Sequence, residues 1–112
     1  MKKLNLHKYG KEHIMVLHTA NYANNGNLYV GILEEEDGYY VPWSDLTVNL
    51  NRKCKPGCAF IDTNNNGDEI EDWLMKNNLA YPTGRLEVSG WCIYPEFKFN
   101  METLMQYVLG DQ

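Results

Sequence analysis

The residues best suited to hold a metal ion stand together at positions 62–67, in the order Asp-Thr-Asn-Asn-Asn-Gly. This is the first half of a calcium-binding loop, with oxygen ligands at loop positions one, three and five and a glycine at six. The second half does not match, because Glu69 occupies an apolar position and Trp73 stands where a bidentate glutamate is needed. We therefore favour an asparagine-rich turn that leads into a helix, and we expect no metal.

Three cysteines offer thiol chemistry. Cys54 and Cys58 are separated by three residues, and Cys92 lies far along the chain. Structural zinc needs four ligands, so one of the three histidines would have to complete the set, and the spacing specifies no such site. The odd number of cysteines does not suggest a disulfide framework. We expect reduced thiols, with Cys54 exposed and Cys58 buried, and no cofactor.

The histidines and Ser89 give little support for an enzyme. His13 and His18 are five residues apart, so on one strand they point to opposite faces and cannot act as a pair. Ser89 lies in no nucleophile elbow, and neither a phosphate loop nor a dinucleotide fingerprint is present. Cys92 with a distant histidine could act as a nucleophile, but any chain with these residues allows that pairing. We predict that the protein is not an enzyme.

Acidic residues are the next candidates, because the 112-residue chain has 15 Asp and Glu against 10 Lys and Arg and a net charge of −5. Carboxylates on a rigid scaffold complement a cationic groove, and tyrosine and tryptophan are favoured at interfaces. The helix dipole and hairpin solubility explain the same acidic clusters without a partner. The predicted binding residues are Glu34, Glu35, Glu36, Asp37, Tyr39, Tyr40, Trp43, Asp68, Glu69, Glu71, Asp72 and Tyr94.

A nucleic-acid partner is the alternative. Basic side chains near both ends of the first half could contact phosphates, while Tyr39, Tyr40 and Trp43 could stack on bases. The acidic balance of the chain argues against direct binding of nucleic acid. The basic residues in question are Lys2, Lys3, Arg52, Lys53 and Lys55.

The first half of the chain, which must position many of these residues, is predicted to consist of strands. Alternating apolar residues and short apolar runs predict strands around residues 4–6, 13–18, 28–33, 39–41, 46–50 and 58–61. Asn25-Gly26 and Asp37-Gly38 predict tight hairpin turns, so the first half is predicted to hold a three-stranded antiparallel meander. Pro42 cannot donate to a ladder, so its strand ends there or lies at an edge.

The second half is predicted to hold two helices and two short strands. Ile70, Trp73 and Leu74 share one helical face within residues 68–78, and Asn100 is a suitable N-cap for a helix over residues 100–109. Short strands are predicted at residues 85–88 and 91–94. The expected fold is α+β, a single domain over residues 1–112, with a mainly antiparallel sheet of four to six short strands and two helices on one face.

Several segments between residues 22 and 99 resemble one bacterial family, called domain of unknown function 4313. The resemblance implies no catalytic residues. It implies a context, that of small accessory proteins on mobile genetic elements of Gram-positive bacteria, which often counter host defence. The segments that carry it are 24–28, 46–50, 59–65, 82–85, 89–90 and 94–99.

From these observations we predict a protein-binding accessory domain of a mobile element. Its acidic and aromatic surface would contact a protein partner, such as a basic nucleic-acid enzyme. The domain would then be an anti-defence inhibitor of the anti-CRISPR or anti-restriction type. No apolar run approaches the roughly 20 residues of a membrane span, and the charged start lacks the apolar stretch of a signal peptide. The expected location is the cytoplasm, with no membrane partner.

Overall fold

The computed structural model describes residues 2–110, and the first half of the chain forms a four-stranded antiparallel sheet, here called sheet 1. Its strands follow one another in chain order. The tight turns Tyr9-Gly10 and Asp37-Gly38 have positive φ at both residues, which matches the twist of hairpin strands. The strands are β1 (Leu4–Lys8), β2 (Lys11–Asn21), β3 (Leu28–Glu36) and β4 (Tyr39–Asp45).

The second half forms another four-stranded antiparallel sheet, sheet 2, with the strand order β5-β6-β8-β7. Its strands are β5 (Thr47–Val48), β6 (Cys58–Ile61), β7 (Ala80–Ser89) and β8 (Cys92–Phe99). Gly90 supplies the positive φ of 61° that the β7–β8 turn needs at its first central position. Strand β7 therefore lies at an edge of sheet 2, joined to β8 by a tight hairpin.

Three short helices complete the fold: α1 (Thr63–Asn66), α2 (Glu69–Lys76) and α3 (Met101–Met105). Two of them begin at side chains that cap the backbone. The Asp62 carboxylate accepts the backbone N–H of Asn65, and the Asn100 side chain accepts that of Thr103. Within residues 2–110, none of the helices combines the length and the apolar character needed to cross a membrane.

The main core joins the two sheets to α2 and α3. Strand β6 is buried on both faces, because Ala59 and Ile61 face this core while Cys58 and Phe60 face a second, smaller cluster. Fully buried members from each part of the main core are Leu17, Ile32, Ile61, Leu74, Phe97 and Leu104. The assignment of residues 1–112 to a single domain stays a prediction.

The predicted α+β class with mainly antiparallel strands is confirmed, although eight strands form two sheets where one was expected. The meander of β2, β3 and β4 is confirmed, and Pro42 lies in the edge strand β4. The helix predicted at residues 68–78 is α2. Its apolar face is buried as expected, at Ile70, Trp73 and Leu74.

Two predicted strand regions differ in length. The strand expected at residues 46–50 is reduced to the two residues of β5. The strands expected at residues 85–88 and 91–94 are longer, because a bulge between Pro82 and Leu86 lets β7 continue through its glycine and proline.

Three predictions, two for turns and one for the end of a helix, are wrong. Asn25-Gly26 is part of a six-residue connection closed by the Tyr22 N–H and the Asn27 carbonyl, not a two-residue turn. The asparagine tract is helix α1. The last helix ends at Met105, because residues 107–109 pair with Leu17 of β2 through two hydrogen bonds of 2.9 Å.

Candidate protein-binding surface

The first acidic run begins with a buried ion pair. Glu34 Oε2 lies 2.6 Å from His13 Nδ1, and the two side chains are only 12% and 7% exposed. The other ring nitrogen of His13, Nε2, lies 3.1 Å from the Lys8 carbonyl oxygen. Both ring nitrogens thus lie within hydrogen-bond distance of an oxygen atom. The Glu34 carboxylate is held inside the molecule.

The remaining residues of this run point in different directions, because successive side chains of a strand alternate between faces. Glu35 points to the opposite face of β3 and pairs with Lys3, whose pKa is raised chiefly by that hydrogen bond. Glu36 and Asp37 are exposed, and neither has an ion-pair partner among residues 2–110. Residues 34–37 therefore do not form one continuous acidic surface.

The aromatic residues after this run are also divided. Tyr39 is 75% exposed, whereas Tyr40 is half-buried. Trp43 packs over the buried pair, with its ring centroid 4.6 Å from that of His13 and 6.2 Å from that of Tyr9. Trp43 thus shields the ion pair from water.

A small cleft beside Trp43 brings two predicted binding residues together. It is lined by Tyr9 and Trp43 on one side and by Asn65 and Glu69 on the other, and it has a volume of about 230 Å³. This is below the roughly 300 Å³ at which sites for drug-sized ligands begin. Lys8 at its rim is already engaged by the Asn66 carbonyl and by Glu69.

The second acidic cluster, at the start of α2, keeps most of its charge uncompensated. Glu69 is neutralised by Lys8 at 2.7 Å, and this hydrogen bond lowers the pKa of Glu69. Burial raises the pKa of Glu71, and the nearby charges of Asp68 and Asp72 raise it further. No cation within residues 2–110 pairs with these three carboxylates, here called the acidic patch (Asp68, Glu71 and Asp72).

Tyr94 and the cysteines lie in the small cluster of sheet 2. Tyr94 is buried there, and so is Cys54, so the prediction of an exposed Cys54 is wrong. Burial, and then the neighbouring Glu96, raises the pKa of the Cys54 thiol to about 12, and burial also raises the pKa of Cys58. Both thiols are protonated at neutral pH, and a protonated thiol is a poor nucleophile and metal ligand.

The segment that resembles a calcium loop uses its polar groups internally. The Asp62 carboxylate accepts hydrogen bonds from the backbone and the side chain of Asn65. The Asn66 amide donates to the carbonyls of Asp45 and Asp62, and its oxygen accepts from the Ser44 hydroxyl. In the described part of the chain, no three His, Cys, Asp or Glu side chains are grouped to hold a metal ion.

The basic residues of the nucleic-acid alternative are spread over the molecule and mostly engaged. Lys2 donates to Gln106, and Lys3 pairs with Glu35. In the loop before β6, Arg52 lies 3.7 Å from Glu87 of sheet 2, and the Lys53 ammonium donates to the Asn25 carbonyl. Tyr39, Tyr40 and Trp43 belong to the edge strand of sheet 1. The loop thus contacts β7 and the β2–β3 connection, whereas the aromatic residues belong to β4.

Sequence reasoning missed the most exposed apolar surface, which lies on the β7–β8 hairpin. Leu86, Val88 and Ile93 are 62%, 66% and 58% exposed, and Trp91 in the turn is fully exposed. These four residues are here called the hairpin patch. The signal was present in the alternation of Leu86 and Val88 with charged residues and in the tryptophan that follows the turn glycine.

The hairpin patch lies on the same face of sheet 2 as the main core, in the part of that face that no other element of residues 2–110 covers. Ile93 has the same parity along β8 as Phe97 and Phe99, which face the main core, and Val88 lies opposite Ile93. With about 100 Å² for an aliphatic side chain and about 200 Å² for tryptophan, the patch exposes roughly 400 Å² of apolar surface. A standard interface buries about 800 Å² per partner, a little over half of it apolar.

The hairpin patch and the acidic patch adjoin each other. Ile93 and Cys92 of β8 line a shallow recess together with Gly67 and Asp68, which lead into α2. Apolar surface and uncompensated negative charge therefore share one side of the molecule. Of the predicted binding residues, Asp68 lies beside the hairpin patch, with Glu71 and Asp72 following it on α2, whereas Tyr94 is buried and the Glu34 side chain is only 12% exposed.

A comparison with known protein families assigns the chain to one of them. The family model described as "Domain of unknown function (DUF4313)" matches residues 16–110, and the chain belongs to this family. No curated protein and no solved structure matches it.

Proposed function

We propose that this member of the DUF4313 family is a non-enzymatic protein-binding domain whose partner docks on the hairpin patch and the neighbouring acidic patch. The observation that carries the proposal is the fully exposed Trp91 at the end of an apolar sheet face. The largest apolar patch on the surface of a soluble protein, about 300 to 600 Å², is often functional. Tryptophan is also the residue type that most often dominates binding energy.

The chemistry of this surface defines the partner. The acidic patch and the net charge of −5 favour a protein that presents apolar side chains flanked by lysine or arginine. A cationic groove of a nucleic-acid enzyme has this chemistry. We propose further that the domain is an accessory protein of a mobile genetic element that inhibits such a defence enzyme in the bacterial cytoplasm.

The apolar contribution is tested by affinity capture from the native host. The bait is the wild-type protein or the double variant Trp91→Ser, Ile93→Ser, and the captured proteins are compared by mass spectrometry. A matched control removes two exposed methionines of α3, Met101→Ser and Met105→Ser. We expect one protein that wild type and control capture and the hairpin variant does not. Equal capture by all three baits would refute the role of the hairpin patch.

The charge contribution is tested with the captured protein in purified form. Asp68→Asn combined with Asp72→Asn is expected to weaken binding and to flatten its dependence on salt, since exposed charges are screened within about 10 Å at 0.1 M salt. Wild-type affinity that is constant from low to high salt would exclude an electrostatic contact. A gel-shift assay at low salt tests the nucleic-acid alternative, and a retarded band would favour it.

A further inference from the structure

The two sheets formed by residues 2–110 have four edges, and β7 is the least protected of them. Strand β5 has only two residues, and β4 carries Pro42 and a register shift. Helix α2 lies against β1, where the Trp73 indole donates to the Asn5 carbonyl. These are features that prevent edge pairing. The end of β7, Leu86-Glu87-Val88-Ser89, contains neither proline nor lysine.

The backbone groups of two β7 residues point away from sheet 2. Leu86 lies opposite Pro95, which has no N–H to donate, so this is a non-hydrogen-bonded pair of the antiparallel ladder. Because such pairs alternate, the pair formed by Val88 and Ile93 is of the same type. The N–H and C=O groups of Leu86 and Val88 therefore face the open edge, whereas those of Glu87 face β8.

We propose that two copies of this chain associate by pairing β7 with β7 in antiparallel orientation, with Leu86 opposite Leu86 of the second copy. This register places Arg85 opposite Glu87 of the second copy, and the twofold axis repeats the pair. A shift that centres the pairing on Glu87 would place two carboxylates opposite each other, which is unfavourable. The charge pattern of the strand thus selects one register.

Two backbone features limit the length of the pairing. The bulge between Pro82 and Leu86 ends the regular strand on one side, and the Gly90 turn ends it on the other. A contact of this length belongs to the small interfaces of transient complexes, so the dimer dissociates on dilution. The pairing leaves the faces of both hairpins accessible, so it is independent of the proposed binding function.

The first test measures molar mass by sedimentation equilibrium over a wide range of protein concentration. We expect the average mass to rise towards that of a dimer for the wild type. Leu86→Lys places two ammonium groups at the twofold axis and is expected to remain monomeric. Ile93→Lys is the matched control, because Ile93 is similarly exposed but lies on the inner strand β8.

The outcomes separate edge pairing from other contacts. A dimer that Ile93→Lys abolishes and Leu86→Lys does not would mean that apolar faces stack, and it would overturn the proposal. A wild type that stays monomeric at about millimolar concentration would overturn it as well. Equal capture of host proteins by all three baits, with dimerisation intact, would contradict only the proposed function.

Amide hydrogen exchange supplies a test that needs no variant. The amide of Leu86 is expected to exchange rapidly in dilute solution and at least tenfold more slowly in concentrated solution. The amide of Glu87, which faces β8, is protected at both concentrations and serves as the internal control. Exchange at Leu86 that does not depend on concentration would contradict edge pairing.

Discussion

The β3–β4 hairpin carries four consecutive acidic residues, and the β7–β8 hairpin carries four exposed apolar residues. In the first hairpin Glu34 is buried against His13, and Trp43 packs over the pair. In the second hairpin Trp91 and Ile93 are exposed to solvent. The difference arises because β3 lies inside sheet 1, whereas the end of the β7–β8 hairpin extends beyond the core.

Each hairpin also buries one glutamate, and the two are compensated differently. Glu34 faces the buried imidazole of His13. Glu96 of β8 accepts hydrogen bonds from the Thr83 hydroxyl at 2.7 Å and from Arg85, which is 38% exposed, at 3.2 Å. Water can reach the partner of Glu96 but not the partner of Glu34. We therefore expect the first hairpin to depend more strongly on its ion pair than the second.

The largest effect is expected for His13→Ala, which leaves the largely buried Glu34 carboxylate without its side-chain partner. Removal of one partner from a buried pair costs about 3 to 5 kcal/mol, and we expect a loss of unfolding free energy in that range, measured by urea denaturation. His7→Ala is the control, because the His7–Glu12 pair is more than 60% exposed on both sides. Equal losses for the two variants would show that Glu34 regains water when His13 is removed.

A smaller loss, about 2 kcal/mol, is expected for Arg85→Ala in the second hairpin. The Thr83 hydroxyl still compensates Glu96, and solvent can enter where the guanidinium was. The variant also removes the contact of Arg85 with the Phe60 ring at 5.2 Å. Arg52→Ala is the control, since its contact with Glu87 is long and exposed and should be worth less than about 0.5 kcal/mol. A loss for Arg85→Ala as large as that for His13→Ala would remove the distinction between the hairpins.

The comparison shows how far the sequence alone predicts this fold. Local signals were sufficient for the Asp37-Gly38 turn, the buried strand β6 and the apolar face of α2, because each depends on neighbouring residues only. The division into two sheets was not predictable in this way. It depends on which strands pair across long stretches of chain, and the alternation of apolar residues does not encode the partner of a strand.

The candidate site was predicted less well than the fold. Acidic residues were taken as surface because most are exposed. Glu34, however, contacts His13, which lies two residues from Met15, the residue opposite Glu34 on β2, and no spacing rule connects the two. Apolar residues such as Val88 and Ile93 were placed on short strands, with no prediction that they would be exposed. Their exposure follows from the length of the hairpin relative to the core, which is a property of the assembled fold.

The buried thiol behind the second hairpin gives a pH-dependent prediction. The pKa of Cys54 rises from about 9 when unfolded to about 12 in the fold, so above pH 9 the unfolded chain loses a proton that the folded chain keeps. The contribution of Cys54 to the unfolding free energy is therefore fully present below pH 9. It is lost between pH 9 and pH 12, and the loss reaches about 1 kcal/mol at pH 10.

The measurement compares urea denaturation at pH 8 and pH 10 for the wild type and Cys54→Ala. The variant should lose less stability over this interval, although it starts from a lower value because a buried side chain is shortened. Burial also raises the pKa of Tyr22 and Tyr29 in sheet 1, so both proteins retain some decline. Identical declines in the two proteins would show that Cys54 ionises without opening the cluster.

The smallest effect on stability is expected for Trp91→Ser, at less than about 0.5 kcal/mol, because a fully exposed side chain makes few contacts to lose. Trp43→Ser in the first hairpin is the matched variant. It removes the cover of the His13–Glu34 pair and should cost about 2 kcal/mol. Thermal unfolding of the two variants in dilute solution measures the contrast. If Trp91→Ser were as destabilising as Trp43→Ser, the second hairpin would have to pack on the core, and the apolar surface assigned to binding would instead belong to the fold.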